Sequence, residues 1–222
     1  MQVATIITNN KLPDNLTENL VKSFKQSNIE LLQIVEKLPS QVIDVFFTGE
    51  AAKVVIDSLI AKQPIDSIVL EAETRDINIL ISDMDSTLIE NECIDEIADL
   101  VGVKEQVAVI TEKAMQGLYQ FEESLIERVK LLKGIDYNLL KEVYEQKIKF
   151  SKGAKSLIKG AKERGIYTIL VSGGFTFFAD KVQGDLGCDK SFANQLIVED
   201  GRLTGEVKKP ILGANQKREI LL

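Results

Sequence analysis

The sequence predicts an α/β protein with a smaller α+β domain in front of it. Three observations lead there. The apolar run Ile79-Leu80-Ile81 stops at Asp83-Met84-Asp85, as a buried strand ending in two carboxylates would. A second β-branched run, 166–171, stops at Ser172-Gly173-Gly174 and gives way to helical periodicity. Ahead of both, residues 1–75 alternate strand-like and helix-like patterns in the order β-α-β-β-α-β. That order is the split βαβ, ferredoxin-like arrangement.

Each element has its own warrant. Residues 3–8 form the first strand. In 15–26, Leu16, Leu20 and Phe24 recur at helical spacing. Residues 29–35 and 42–47 are strands, separated by Pro39-Ser40. Helix 51–62 carries Val54, Val55, Leu59 and Ile60 on one side, and strand 65–71 closes the unit. Glu73-Thr74-Arg75-Asp76 is the polar junction to residues 76–222. After the Asp83 strand, the stretch at about 91–150 is helical, as a cap inserted over a site would be. Its helices are marked by Ile94, Ile97 and Ala98, then Val107, Ile110 and Ala114, then Leu125, Val129 and Leu132, then Leu140 and Val143. Gly102, Gly117 and Gly134 stop the first three. The α/β pattern resumes with helix 155–164, strand 166–171 and helix 175–186. Strands 195–199 and 202–207 flank Asp200-Gly201, a hairpin signal. A last helix begins at 214 and runs to 222.

Composition excludes several functions. With 222 residues, 45% of them apolar, the chain supports one large or two small domains. A formal charge of −7 argues against nucleic acid or an anionic membrane as the main partner. No apolar run is long enough to span a bilayer, and no secretory signal precedes the first strand. Two isolated cysteines, Cys93 and Cys188, fit a reducing cytoplasm. The absence of histidine removes Ser-His-Asp and Cys-His catalysis within this chain. Acid–base chemistry falls to carboxylates, Lys or Tyr. There is no Gly-x-x-x-x-Gly-Lys-Ser/Thr loop for a nucleotide.

Asp83 and Asp85 would project to one side if their strand ran through them. Two carboxylates that close stay ionised only with a cation between them, or one takes a proton. The pair suits work on an anion such as phosphate, one carboxylate as nucleophile and the other as proton carrier. The plain alternative is that Asp85 caps the following helix. From Asp76 to Val103 there is no Lys or Arg but eight acids, a field that attracts a cation or merely solvates a helix face. Ser172-Gly173-Gly174 offers a hydroxyl and free backbone N–H groups at a helix start, where phosphate binds readily.

These blocks resemble a known family. Asp83-Met84-Asp85-Ser86-Thr87-Leu88 is similar to the first signature of the haloacid dehalogenase superfamily. Glu90-Asn91-Glu92-Cys93-Ile94-Asp95-Glu96 narrows the resemblance to its phosphoserine phosphatases. Ala114-Met115-Gln116-Gly117, Phe121 to Leu125, Arg128-Val129, Val171 to Phe175, Phe192-Ala193-Asn194 and Asp200 to Gly205 continue it in order. The resemblance implies a Rossmann-like parallel sheet, Mg²⁺, and hydrolysis of phosphoserine to L-serine, the last step of serine biosynthesis, in the cytoplasm. Asp83 would be the nucleophile and Asp85 the general acid and base. Ser172, Gly173 and Lys217 would hold the phosphoryl group, with Arg218 as the neighbouring choice to Lys217. Glu92 and Arg128 would read the substrate's ammonium and carboxylate, and Met115 and Phe121 would form an apolar wall. Asp83 and the Asp85 carbonyl would bind the metal. Residues 1–75 look like the amino-acid-binding regulatory (ACT-like) folds, or else a structural or homodimer-forming module. Phosphoserine:homoserine phosphotransfer, a non-enzymatic amino-acid sensor and an inactive fragment are the alternatives.

One block of the family is not in this sequence: Gly-Asp-Gly-x-Asn-Asp, whose aspartate would be the third metal ligand, beyond the end of the chain. The expectation is therefore a truncated form with an incomplete sheet. The Asp83 strand would be an exposed edge, and metal affinity and activity would be reduced.

Overall fold

The computed structural model describes residues 1–221, in two compact units, Met1–Ile77 and a second that starts at Asn78. Leu222, where the last helix was expected to end, lies outside the described residues. No helix among the described residues is long and apolar enough to cross a membrane.

The first unit runs β1 (Gln2–Ile7), α1 (Leu16–Gln26), β2 (Glu30–Leu38), β3 (Val42–Thr48), α2 (Ala52–Ile60) and β4 (Asp66–Glu71). Its strands form one antiparallel sheet in the order β2-β3-β1-β4, the split βαβ arrangement. Period-2 alternation drives the packing. Ala4, Ile6, Val45 and Phe47 share a sheet face and cluster with Leu20 and Phe24 of α1 and Ile56 of α2. Phe24 meets Phe47 edge to face, centroids 5.5 Å apart, a contact worth about 0.5–1.5 kcal/mol beyond its buried area.

The opposite face carries a buried charge. Asp44 accepts hydrogen bonds from Thr5 Oγ1 at 2.6 Å and Arg75 Nη1 at 2.6 Å. Arg75 closes a 3₁₀ turn, Ala72–Arg75, where the sequence suggested only a polar junction. Burial works to raise the Asp44 carboxyl, but the hydrogen bonds from Arg75 and Thr5 and the charges of Arg75 and Lys37 outweigh it. The group is held below its ordinary value.

The second unit runs β5 (Ile79–Ser82), α3 (Cys93–Leu100), α4 (Lys104–Met115), α5 (Phe121–Lys130), α6 (Leu139–Lys147), α7 (Ala154–Glu163), β6 (Tyr167–Phe175), α8 (Thr176–Leu186), β7 (Lys190–Asn194), β8 (Leu196–Glu199), β9 (Arg202–Val207) and α9 (Ala214–Leu221). The parallel sheet has the order β5-β6-β7. β8 and β9 form a separate hairpin. Asp200 (φ 48°) and Gly201 (φ 75°) turn it, two left-handed residues in succession, as the tightest hairpins require. One apolar cluster joins the two parts of the unit: Ile97, Leu125, Val129 and Leu140 from the helical insertion pack with Leu170, Phe178 and Val182.

Two expectations change. The strand before Asp83 covers the apolar run and ends at Ser82, so it does not continue through Asp83 and Asp85. The amides of Thr87, Leu88 and Ile89 all donate to the Met84 carbonyl, so the chain coils at once. Conversely, Ser172-Gly173-Gly174 is not a turn. β6 passes through it to Phe175, with a register shift against β7 between Val171 and Phe175. At the sheet edge, β5 pairs only with β6 among the described residues, and Ile79 is 54% exposed.

Arg75→Ala removes the hydrogen-bonded cation of the Asp44 carboxylate and leaves it only the more distant Lys37 ammonium, 3.9 Å away. Hydrogen bonds to charged groups are worth about 1.5–3 kcal/mol, and a loss of that size is expected in urea unfolding at pH 7. Asp44 has a depressed folded pKa, so its stabilising effect is present above the unfolded value of about 3.8 and disappears as pH falls through the lower folded value. The deficit should therefore shrink towards pH 3. An equal deficit at pH 7 and pH 3 would show that Arg75 acts by packing alone.

Candidate active site

A cavity of about 210 Å³ collects the charged side chains that the sequence singled out. Asp83, Asp85, Glu92, Phe121, Arg128, Gly173 and Lys217 line it, with Gly174 and Leu125. The residues come from β5's end, α3's start, α5, β6 and α9.

The two aspartates face it for a reason other than strand alternation. Met84 between them is fully buried, and the tight coil on its carbonyl turns Asp83 and Asp85 outward together. Their partners differ. Asp83 Oδ2 takes the Lys217 ammonium at 2.6 Å, and Oδ1 accepts the Met84 N–H at 2.8 Å. Asp85 accepts only from neutral groups: the Cys93 N–H to Oδ1 at 2.9 Å and the Ser172 hydroxyl to Oδ2 at 3.2 Å. Ser172 Oγ in turn accepts the Gly174 N–H at 2.8 Å. A Cβ on Gly174 would lie 2.7 Å from Asp85 Oδ2, so only glycine lets these two segments meet.

Glu92 and Arg128 stand on opposite elements of the same cavity. Ser86, at φ 52°, donates its hydroxyl to Glu92 Oε1 at 2.7 Å. Burial, with the charges of Asp85 and Asp95, raises the Glu92 carboxyl above its ordinary value against the pull of Ser86 and Arg128. Arg128 is pulled down by burial and sustained by Asp95 and Glu92. The Cys93 thiol is pushed far up by burial and then by Asp85, so it stays protonated and takes no part as a nucleophile.

Two predicted residues sit otherwise than expected. Met115 is outside the cavity wall: it ends α4 and is 85% exposed. α4 buries only Val107, so little holds its last turn inward. Ser172 is fully buried, and its hydroxyl is taken up by Asp85 and Gly174 rather than facing the cavity. Gly173 and Lys217 do face it.

The residue missed in the sequence is Asn194. It is buried at the end of β7, donates from Nδ2 to the carbonyls of Gly173 (2.9 Å) and Leu212 (3.2 Å), and accepts the Leu212 N–H at 2.6 Å. It thereby ties the Gly173 segment to the segment that leads into α9 and Lys217. Its signal was present in Phe192-Ala193-Asn194, but no chemistry in that block pointed to a role.

For a metal, the available donors are the Asp83 carboxylate and the Asp85 backbone carbonyl, which accepts no hydrogen bond from the described residues. Both are hard oxygens and fit an ion such as Mg²⁺ that keeps several waters. No group of three or more carboxylate or cysteine side chains suited to a metal occurs among the described residues.

Residues 80–221 match the family model described as haloacid dehalogenase-like hydrolase. The phosphoserine phosphatase of Archaeoglobus fulgidus is 45% identical over 147 residues, 66% of this chain and 42% of that protein. That of Saccharomyces cerevisiae is 35% identical over 235 residues, 99% of this chain and 75% of the other. The chain thus spans less than half of the archaeal relative. A solved structure described as a phospho-aspartyl intermediate analogue of phosphoserine phosphatase superposes with a TM-score of 0.61 at 44% identity, over 66% of this chain and 70% of that one.

Asn194→Ala would leave the buried Leu212 N–H and the Gly173 carbonyl unpaired. Each such group costs about 1–3 kcal/mol, so a marked drop in unfolding free energy is expected. Asn194→Asp keeps the acceptor but sets a buried carboxylate oxygen against the Gly173 and Leu212 carbonyls, so it should lose at least as much. If the alanine variant unfolds at the wild-type denaturant concentration, Asn194 is not the tie inferred above.

Proposed function

Because this chain belongs to the haloacid dehalogenase-like hydrolase family, we propose that its cavity hydrolyses O-phospho-L-serine to L-serine and phosphate, with Mg²⁺ as cofactor. The observation that carries the reading is the pairing, in one small cavity, of two differently partnered aspartates with a carboxylate and a guanidinium. A phosphate bearing an amino acid needs all four.

The steps follow from the partners. Asp83, its carboxylate paired with the Lys217 ammonium, attacks phosphorus; the serine oxygen leaves and an aspartyl phosphate forms. Asp85, which accepts only neutral donors, gives the proton to the departing oxygen. It then takes one from water as that water attacks the phosphoenzyme, which releases phosphate and restores Asp83. Lys217 and the backbone at Gly173 stabilise the phosphoryl oxygens, where preorganised charge is most effective. Glu92 accepts the substrate ammonium, and Arg128 takes its carboxylate. Phe121 closes the apolar side, and Met115 joins it if α4 moves inward. Ser172 acts on the phosphoryl group by fixing Asp85 and the Gly174 amide. A Mg²⁺ ion on Asp83 and the Asp85 carbonyl would neutralise part of the phosphate charge. The sequence stretch 76–103 holds eight acids and no base, so an anionic substrate needs such compensation. The setting proposed is the cytoplasm and the end of serine biosynthesis. Residues 1–77 would supply regulation by an amino acid or a dimer contact.

Release of serine and inorganic phosphate, with no transfer to an added alcohol such as homoserine, separates hydrolysis from phosphotransfer. Asp83→Asn is expected to abolish acid-stable phosphoenzyme labelling and to lower turnover by on the order of 10³-fold or more. Near-full turnover by that variant would end the assignment of the nucleophile.

The raised carboxyl of Glu92 gives a second check. An ammonium is bound by the anionic form, so phosphoserine affinity should weaken as pH falls through a value above the ordinary 4.5. Glu92→Gln should bind more weakly at neutral pH and lose that acid limb. A limb that persists unchanged in Glu92→Gln would belong to the ligand phosphate and not to Glu92.

A further inference from the structure

Phe121 has a second environment. The side chain that closes the 210 Å³ cavity also lines a groove of about 510 Å³, with Gln120, Glu122, Gly213, Asn215 and Gln216. The ring stands between two glycines. A Cβ on Gly173 would lie 2.8 Å from Phe121 Cζ, and a Cβ on Gly213 would lie 3.1 Å from Cδ1. Gly173 belongs to β6 and Gly213 immediately precedes α9, so the ring from α5 is seated between the two segments that face the phosphate. A side chain at Gly173 would displace it, and one at Gly213 would press on it by a few tenths of an ångström.

We infer that Phe121 is a partition that sets the size of the alcohol the site accepts, and that the groove behind it receives the remainder of a bulkier phosphomonoester once the ring is displaced. This rests on the phosphatase reading above. With the ring seated, about 210 Å³ suffices for a phosphate on a three-carbon amino acid. With the ring removed, the cavity opens into the groove, where the amides of Gln120, Asn215 and Gln216 and the carboxylates of Glu122 and Glu123 suit a polar extension that brings an ammonium. Gly213 backs the same ring, while its N–H bonds the Gln216 side chain and its carbonyl accepts the Lys217 amide. At Gly213→Ala the ring must give by a few tenths of an ångström, with Gly173 on its other side.

The test measures binding of O-phospho-L-serine and of O-phospho-L-tyrosine, the same amino acid end on a longer alcohol, by calorimetry on the full chain with Mg²⁺, carrying Asp83→Asn throughout so that neither ligand is turned over. With the native residues at 121 and 213, phosphoserine should be favoured. Phe121→Ala should shift the affinity ratio towards phosphotyrosine by about tenfold or more, the scale on which pocket shape discriminates, and Gly213→Ala should shift it in the same direction by less. The double variant should shift it no further than Phe121→Ala alone, because Gly213 acts through the ring. Parallel weakening of both ligands would mean that the ring only packs, and an unchanged ratio in both variants would overturn the partition while leaving the phosphatase reading intact. Failure of the chain with native residues at 121 and 213 to bind phosphoserine at all would sink both.

Discussion

The Asp85 carboxylate is the constraint on which the rest of the second unit depends. One oxygen accepts the first amide of α3, which fixes where the helical insertion leaves the sheet. The other accepts Ser172, which holds β6 and, through its own oxygen, the Gly174 amide. The insertion, the sheet and the Gly173 segment are thus registered on a single group. The contact needs glycine at 174, because any Cβ there would occupy the space of the carboxylate oxygen. A polar group with both oxygens satisfied by different elements orders a site more firmly than apolar packing does, because each bond has a direction.

A second tie carries the same logic to the far side of the cavity. Lys217 lies 134 residues from Asp83 in the chain, yet its ammonium sits on that carboxylate. The acids near Asp83 come with no local cation, so the neutralising charges, Arg128 and Lys217, have to be supplied by tertiary structure. Asn194 makes this reliable by holding the Leu212 segment, and so the start of α9, against Gly173. An acidic neighbourhood that borrows cations from distant segments is unfavourable in the unfolded chain and useful in the folded one. It leaves an electrostatic demand that an anionic ligand with a metal ion can meet.

The sequence made visible what local chemistry dictates. The apolar run before Asp83, the left-handed Asp200-Gly201 turn and the spacing of Leu16, Leu20 and Phe24 each reflect a rule that acts within a few residues. The family resemblance then supplied Asp83, Asp85, Glu92, Arg128, Gly173 and Lys217, all of which line one cavity. What could not be read were outcomes of long-range competition. β6 extends through two glycines because Ser172 folds its hydroxyl back onto the Gly174 amide and because Phe175 still finds Asn194 on β7. The strand before Asp83 ends at Ser82 because the Met84 carbonyl gathers three amides. Neither choice is encoded in periodicity. Asn194 was invisible as a tie because its partners are backbone groups, which carry no sequence signature.

The helical insertion is not uniformly anchored, and this bears on how the site closes. α5 contributes Leu125 and Val129 to the core, together with Leu132 just beyond it, and α6 contributes Leu140 and Val143. α4 contributes Val107 alone and leaves Val109 and Met115 in solvent, with Leu118 exposed beyond its end. Segments with few buried contacts open at low free-energy cost. Arg128 and Phe121 are therefore carried on a fixed helix, where their distances to Asp83 and Gly173 are maintained, while the apolar end of α4 is free to respond to a ligand. A site divided in this way keeps its charge recognition rigid and its water exclusion adjustable. On the proposed reading, recognition of a small zwitterion requires the first, since a guanidinium displaced by an ångström no longer meets its carboxylate. Hydrolysis through a phosphoenzyme, as proposed above, requires the second, because water must be kept out until the alcohol has left and admitted afterwards.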